Sequence, residues 1–95
     1  MAVLYISEYS IDSQPTPTVG QEPAMASQTV AIGAGSVQSA AFNSGTRLVR
    51  LHTDLACSVS FGLNPTATVT TARLAIGQTE YFKVIPGHKV AVIAN

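Results

Sequence analysis

The sequence predicts an all-β protein, a small single-domain β-sandwich or barrel of jelly-roll-like kind with an extended N-terminal arm. Three observations carry that prediction. Thr and Val number ten each and Ser nine, a mixture that suits half-buried pleated strands with hydroxyl-bearing outer faces. Ala is the commonest residue at thirteen, yet no window keeps an i, i+3, i+4, i+7 apolar spacing for three turns, which argues against a helical bundle. Six to eight short stretches with strand character are instead separated by Gly, Pro and Asn turn signals. The 95 residues are enough for one domain, 1–95, and there is no internal repeat.

Taken in order, Val3-Leu4-Tyr5-Ile6 forms a first strand. Residues 8–27 read as an extended arm or long loop, because Pro15, Pro17, Gly20 and Pro23 exclude helix and confine the chain to extended or edge conformations. An irregular stretch of that length in a small domain is usually functional or disordered, and this one suits strand addition to a neighbour. Residues 28–32 and 37–42 read as a pair of strands around Gly33-Ala34-Gly35, a hairpin turn. Residues 46–53 place Val49 and Leu51 on one side and Leu48, Arg50 and His52 on the other. Residues 56–62 place Cys57, Val59 and Phe61 opposite Ser58 and Ser60, and with Asp54 as a turn the two stretches read as a hairpin.

Leu63-Asn64-Pro65-Thr66 is a turn signal, and the Thr/Ala-rich residues 67–72 read as a loop. Residues 73–76 lead to Gly77. Residues 79–85 then alternate Glu80, Phe82 and Val84 against Tyr81, Lys83 and Ile85, so an outward Tyr81 becomes a candidate interface anchor. Pro86-Gly87 is a turn pair, and residues 88–94 are apolar on both faces, with Val90 and Val92 against Ala91 and Ile93. Such a strand is either central in a sandwich or covered by another subunit.

Charged residues are only 11% of the chain and balance to zero, so there is no overall basic field for nucleic acid. They are segregated along the sequence. Residues 1–46 hold Glu8, Asp12 and Glu22 without Lys or Arg, whereas residues 47–95 hold Arg47, Arg50, Arg73, Lys83 and Lys89 against Asp54 and Glu80. That −3 against +3 suits head-to-tail attraction or an arm laid on a neighbour. The opening MAVLYISEYS lacks the charge and apolar run of a signal peptide, and no stretch approaches a membrane span, so a soluble protein made in a cytoplasm is expected.

Chemistry is sparse. A single cysteine excludes an internal disulfide, and Cys57 falls on the apolar side of its strand, where a thiol is inert. His52 and His88 show no zinc spacing, and with Asp54 they would bind metal only if the fold assembled them. Gly33-Ala34-Gly35 lacks the helix start and lysine of a phosphate loop, and the five carboxylates are scattered. No catalytic residue, cofactor or metal is expected, and the protein reads as a non-enzyme.

Several segments resemble small tailed-bacteriophage virion proteins encoded near the major capsid protein. They are Leu4-Tyr5-Ile6-Ser7-Glu8, Gln38-Ser39-Ala40-Ala41-Phe42-Asn43, residues 46–54, Cys57-Ser58-Val59-Ser60-Phe61-Gly62, Asn64-Pro65-Thr66-Ala67, and Gln78-Thr79-Glu80-Tyr81-Phe82. The resemblance covers most of the chain from about residue 28 onward and lies in overall pattern. It implies a capsid decoration or cement protein, partnered by the major capsid protein and present on the virion surface. A symmetric homo-oligomer, a trimer or dimer, would fit that role. Arg47, Arg50, Arg73, Tyr81, Lys83 and Lys89, with Pro15, Pro17 and Pro23 of the arm, are the candidate interface residues, without nucleic acid or membrane partners. A head–tail or tail component has the same composition, and a glycan-binding β-module follows from the fold class alone.

Overall fold

The structure is a computed structural model, and it describes residues 2–10, 24 and 26–95. Eight strands run in the order β1 (Val3–Tyr9), β2 (Ala26–Ala31), β3 (Val37–Gln38), β4 (Leu48–Thr53), β5 (Cys57–Gly62), β6 (Ala72–Leu74), β7 (Thr79–Lys83) and β8 (Lys89–Ala94). They form two antiparallel four-stranded sheets, β2-β1-β4-β7 and β3-β8-β5-β6. The all-β sandwich predicted from sequence is the observed architecture.

The strand order is that of a jelly roll with one substitution. In a jelly roll, eight strands in chain order a to h make the sheets a-h-c-f and b-g-d-e. Taking β2 as strand a and continuing to β8 as strand g reproduces both sheets, with β1 in the place of the last strand. The chain ends meet accordingly at one end of the sandwich: Asp54 N donates to Val3 O at 3.2 Å and Asn95 N to Ala56 O at 3.1 Å.

Period-two alternation builds the core. Leu4 and Ile6 of β1, Val49 and Leu51 of β4, and Val30 of β2 face Cys57 and Val59 of β5, Val90 and Val92 of β8, and Leu74 of β6. Phe61 and Phe82 pack against this cluster from opposite sheets, with ring centroids 5.0 Å apart.

Two hairpins expected from sequence are absent. β4 pairs with β1 and β7, while β5 pairs with β8 and β6, so residues 54–56 are a corner that carries the chain from one sheet to the other. Residues 33–36 likewise take the chain from β2 in one sheet to β3 in the other, and β3 is only two residues long. The reason is burial. Successive strands that each have one apolar face hide both faces at once by facing each other across the core, and pairing side by side would still leave both needing a cover.

The predicted arm 8–27 is corrected at its two ends, the part of it that lies within the described residues. Glu8 lies opposite Ala26 and Ser7 opposite Ser27 in the β1–β2 ladder, so both ends of the 8–27 stretch are strand. β1 precedes the segment, which is thus a connection within the first sheet. Pro15, Pro17 and Pro23 lie outside the described residues.

Strand β8 is the two-sided apolar one, and it is central, between β3 and β5. Its outer side is covered within the chain. Ser58, on the outer side of neighbouring β5, accepts a hydrogen bond from Asn95 Nδ2, which also donates to Val69 O at 3.2 Å. Gln38, beside Ala91 in the register, donates through Nε2 to Asn64 Oδ1 and Pro65 O at 2.7 and 2.8 Å. The connection 63–71 therefore lies over this sheet, and Pro65, Ala67 and Ala91 are buried.

The turn at Ile85-Pro86-Gly87-His88 closes with His88 N donating to Ile85 O at 3.1 Å, and Gly87 has φ +83°. Proline second and a left-handed residue third make a type II turn. A Cβ on Gly87 would meet nothing within 4 Å, so Gly87→Ala isolates the backbone cost. It is expected to lower stability by about 1 kcal/mol in urea unfolding, and an unchanged midpoint would mean the turn relaxes freely.

Candidate functional site

The register of the first sheet sets outward side chains in rows. Ser27, Ser7, Arg50 and Tyr81 form one row across β2, β1, β4 and β7, and Thr29, Tyr5, His52 and Thr79 form the next. They face out because Leu4, Ile6, Val49 and Leu51 between them face in. Tyr5 and Tyr81 are 44% and 49% exposed. The Tyr5 and His52 rings lie with centroids 6.2 Å apart and planes tilted by 44°, while His52 Nδ1 and Thr79 Oγ1 share a hydrogen bond of 2.7 Å. The Arg50 guanidinium has no partner among the described residues. A depression of about 580 Å³ opens here, lined among others by Tyr5, Ser7, Ser27, Thr29, Arg50 and His52.

A second feature is the end of the sandwich where β1 stops and β2 starts. Arg47 precedes β4, Lys83 ends β7 and Lys89 begins β8, all at this end. Val84 N donates to Arg47 O at 2.9 Å, and Gly87 N donates to Phe42 O at 3.2 Å, which hold the connections together. The exposed described carboxylates, Asp54 and Glu80, lie toward the opposite end. The segment carrying Asp12 and Glu22 leaves and re-enters the fold at the basic end.

The fold thus divides the six described interface candidates. Arg47, Lys83 and Lys89 share one end, Arg50 and Tyr81 share the middle of the outer face, and Arg73 stands apart on β6, opposite Ser58 in the other sheet. Glu8 is the residue that sequence reasoning misplaced. It is 3% exposed and faces inward, where Oε1 accepts from Asn43 N at 2.9 Å and Thr46 Oγ1 at 2.8 Å, and Oε2 accepts from Gln28 Nε2 at 3.2 Å. Gln28 in turn accepts from Ala40 N at 3.0 Å. The signal was present: Leu4, Ile6 and Glu8 continue one alternation. Glu8 therefore adds no charge to the surface of an acidic arm.

Cys57 is fully buried beside Thr53, to whose Oγ1 it donates at 3.5 Å, and burial pushes its thiol above the ordinary range despite that bond. Native protein is expected to react with a thiol reagent only slowly until denaturant is added. A raised value favours the neutral thiol in the fold. The associated stability is present below the ordinary thiol pKa and lost as pH rises through the higher folded value, a dependence that Cys57→Ala should remove.

His52 and Asp54 lie at or beside the end of β4, and His88 sits at the opposite end of the sandwich, so the fold does not assemble the three. No group of three metal-ligating side chains occurs among the described residues. Comparison with protein-family models, curated proteins and solved structures finds no match to this chain.

Proposed function

We propose that this chain is a non-enzymatic structural protein of a tailed-bacteriophage virion, a decoration or cement protein on the capsid surface that binds the major capsid protein as a homo-oligomer, trimer or dimer. The observation that carries this reading is the basic end. Arg47, Lys83 and Lys89 lie at the end of the sandwich where the proline-containing segment 10–25 departs, Lys83 on the outward set of one sheet and Lys89 on that of the other, which suits an acidic capsid surface contacted by charge and by an added extended strand. The oligomer rests on the small size of the core and on the segment, since β8 is already covered within the chain. Binding the assembled shell better than the loosened one would stabilise the shell by linkage.

The segment is tested by replacing residues 11–23 with a short glycine linker, which spares Glu8 and both strands. The shortened protein should keep its melting transition and lose affinity for capsids; undiminished binding sinks the segment's role. Charge is tested by Arg47→Glu, Lys83→Glu and Lys89→Glu together. Capsid affinity is expected to fall at least about tenfold, with the loss shrinking as salt rises. In purified virus, a copy number within a few-fold of the major capsid protein supports decoration, whereas a few copies per particle would make this a portal or tail part.

A further inference from the structure

We infer that the outer face of the β2-β1-β4-β7 sheet is a binding site for an acidic saccharide, a carbohydrate chain carrying carboxylates, with Tyr5 and Arg50 as its principal contacts. This goes beyond the virion role and does not depend on it, because the depression is lined by neither Arg47, Lys83 nor Lys89, although Lys83 lies on the same face one row beyond Tyr81.

The depression of about 580 Å³ is the size of an ordinary small-ligand site. Its chemistry is that of a sugar site. A pyranose presents C–H faces that stack on aromatic rings and a rim of hydroxyls that needs small polar partners. Tyr5 supplies a half-exposed ring, held at a tilt by His52, which Thr79 in turn anchors. Ser7, Ser27 and Thr29 supply hydroxyls along the two rows. Tyr81 continues the surface beyond Arg50, about 12 Å from Tyr5 by strand spacing and rise, so a bound chain of a few sugars would cross β1, β4 and β7 between the two rings.

Charge selects the acidic class. Arg50 stands at the centre without an ion-pair partner among the described residues, and a guanidinium takes a carboxylate through two parallel hydrogen bonds. The described carboxylates do not compete: Glu8 is buried inside, Asp54 lies at a corner, and Glu80 falls on the inward-facing set of β7, where Gln78 Nε2 donates to it at 3.0 Å. The depression itself holds one cation among its hydroxyls, with Lys83 one row further along the face, and that spacing of charge fits a sugar chain better than an acidic peptide, which would call for several cations in line.

The test is a titration of ¹⁵N-labelled full-length protein with trigalacturonic acid, maltotriose and hexaglutamate. Trigalacturonic acid should shift the amides of Tyr5, Ser7, Thr29, Arg50 and His52, and maltotriose should bind the same residues at least about tenfold more weakly. Arg50→Gln should bring the acidic sugar down to the neutral level, and Tyr5→Ala should remove both. Both side chains lie on the outer face, so both variants should melt as the parent does. No shifts at millimolar sugar, shifts confined to the basic end, equal binding of hexaglutamate, or unaltered binding by both variants would each overturn the site.

Discussion

Glu8→Ala is expected to destabilise the domain by about 3–5 kcal/mol, a large share of the 5–15 kcal/mol that holds a typical domain. The carboxyl group, 3% exposed, accepts from Asn43 N, Thr46 Oγ1 and Gln28 Nε2, the bond from Thr46 being buried and the other two part-buried. Alanine takes the side-chain acceptor from Asn43 N and Thr46 Oγ1, leaves Gln28 Nε2 only its longer bond to Ala40 O at 3.4 Å, and opens a hole beneath the connection 39–47. Thr46 itself is fully buried, so its hydroxyl has no route to solvent. Glu8→Gln keeps the volume and an acceptor oxygen but turns an amide N–H₂ toward one of the donors, and about 1–2 kcal/mol is expected. Urea unfolding with an unchanged slope would read both values. A loss below about 1 kcal/mol for Glu8→Ala would show that Glu8 does not pin this connection.

Leu51→Ala is the second large effect, at about 3–4 kcal/mol. Leu51 is fully buried on β4, between β1 and β7, and sits opposite Ile6 on the inner face. Arg50→Ala, one residue away, should change stability by no more than about 0.5 kcal/mol because its side chain points out. The contrast tests the register itself. A one-residue slip of β4 would reverse the two results, since it exchanges the faces of every residue in the strand.

Much of the local structure was legible in the sequence. The alternations in residues 48–53, 57–61 and 79–84 each name the face that contributes to the core cluster, and Tyr81 and Lys83 are exposed as their spacing requires; the burial of Leu48 and Ser58 on the other faces and the exposure of Glu80 do not follow from the alternation. Pro86-Gly87 is a turn because proline presets one dihedral and glycine alone takes the next without strain. The candidate site was legible only in part. Arg50 and Tyr81 were singled out separately, and their adjacency comes from the β4–β7 register. Tyr5 and His52 were read as isolated residues, yet they meet because β1 and β4, with 38 residues between the end of the one at Tyr9 and the start of the other at Leu48, lie side by side.

The sequence by itself determined which face of each well-patterned strand meets the core, where the chain turns, and that the described residues form no helix, because those properties depend on dihedral preference and a period of two within a few residues. Tertiary structure alone decided which strands are neighbours. An apolar strand face can be buried by a facing sheet, by a loop or by another chain, and the alternation looks the same in every case. Here the facing sheet turned two expected hairpins into corners, and the 63–71 connection closed over β8. The same long-range pairing drew Glu8 into the interior to meet Asn43 and Thr46, and set a lone guanidinium among the hydroxyls of the opposite face.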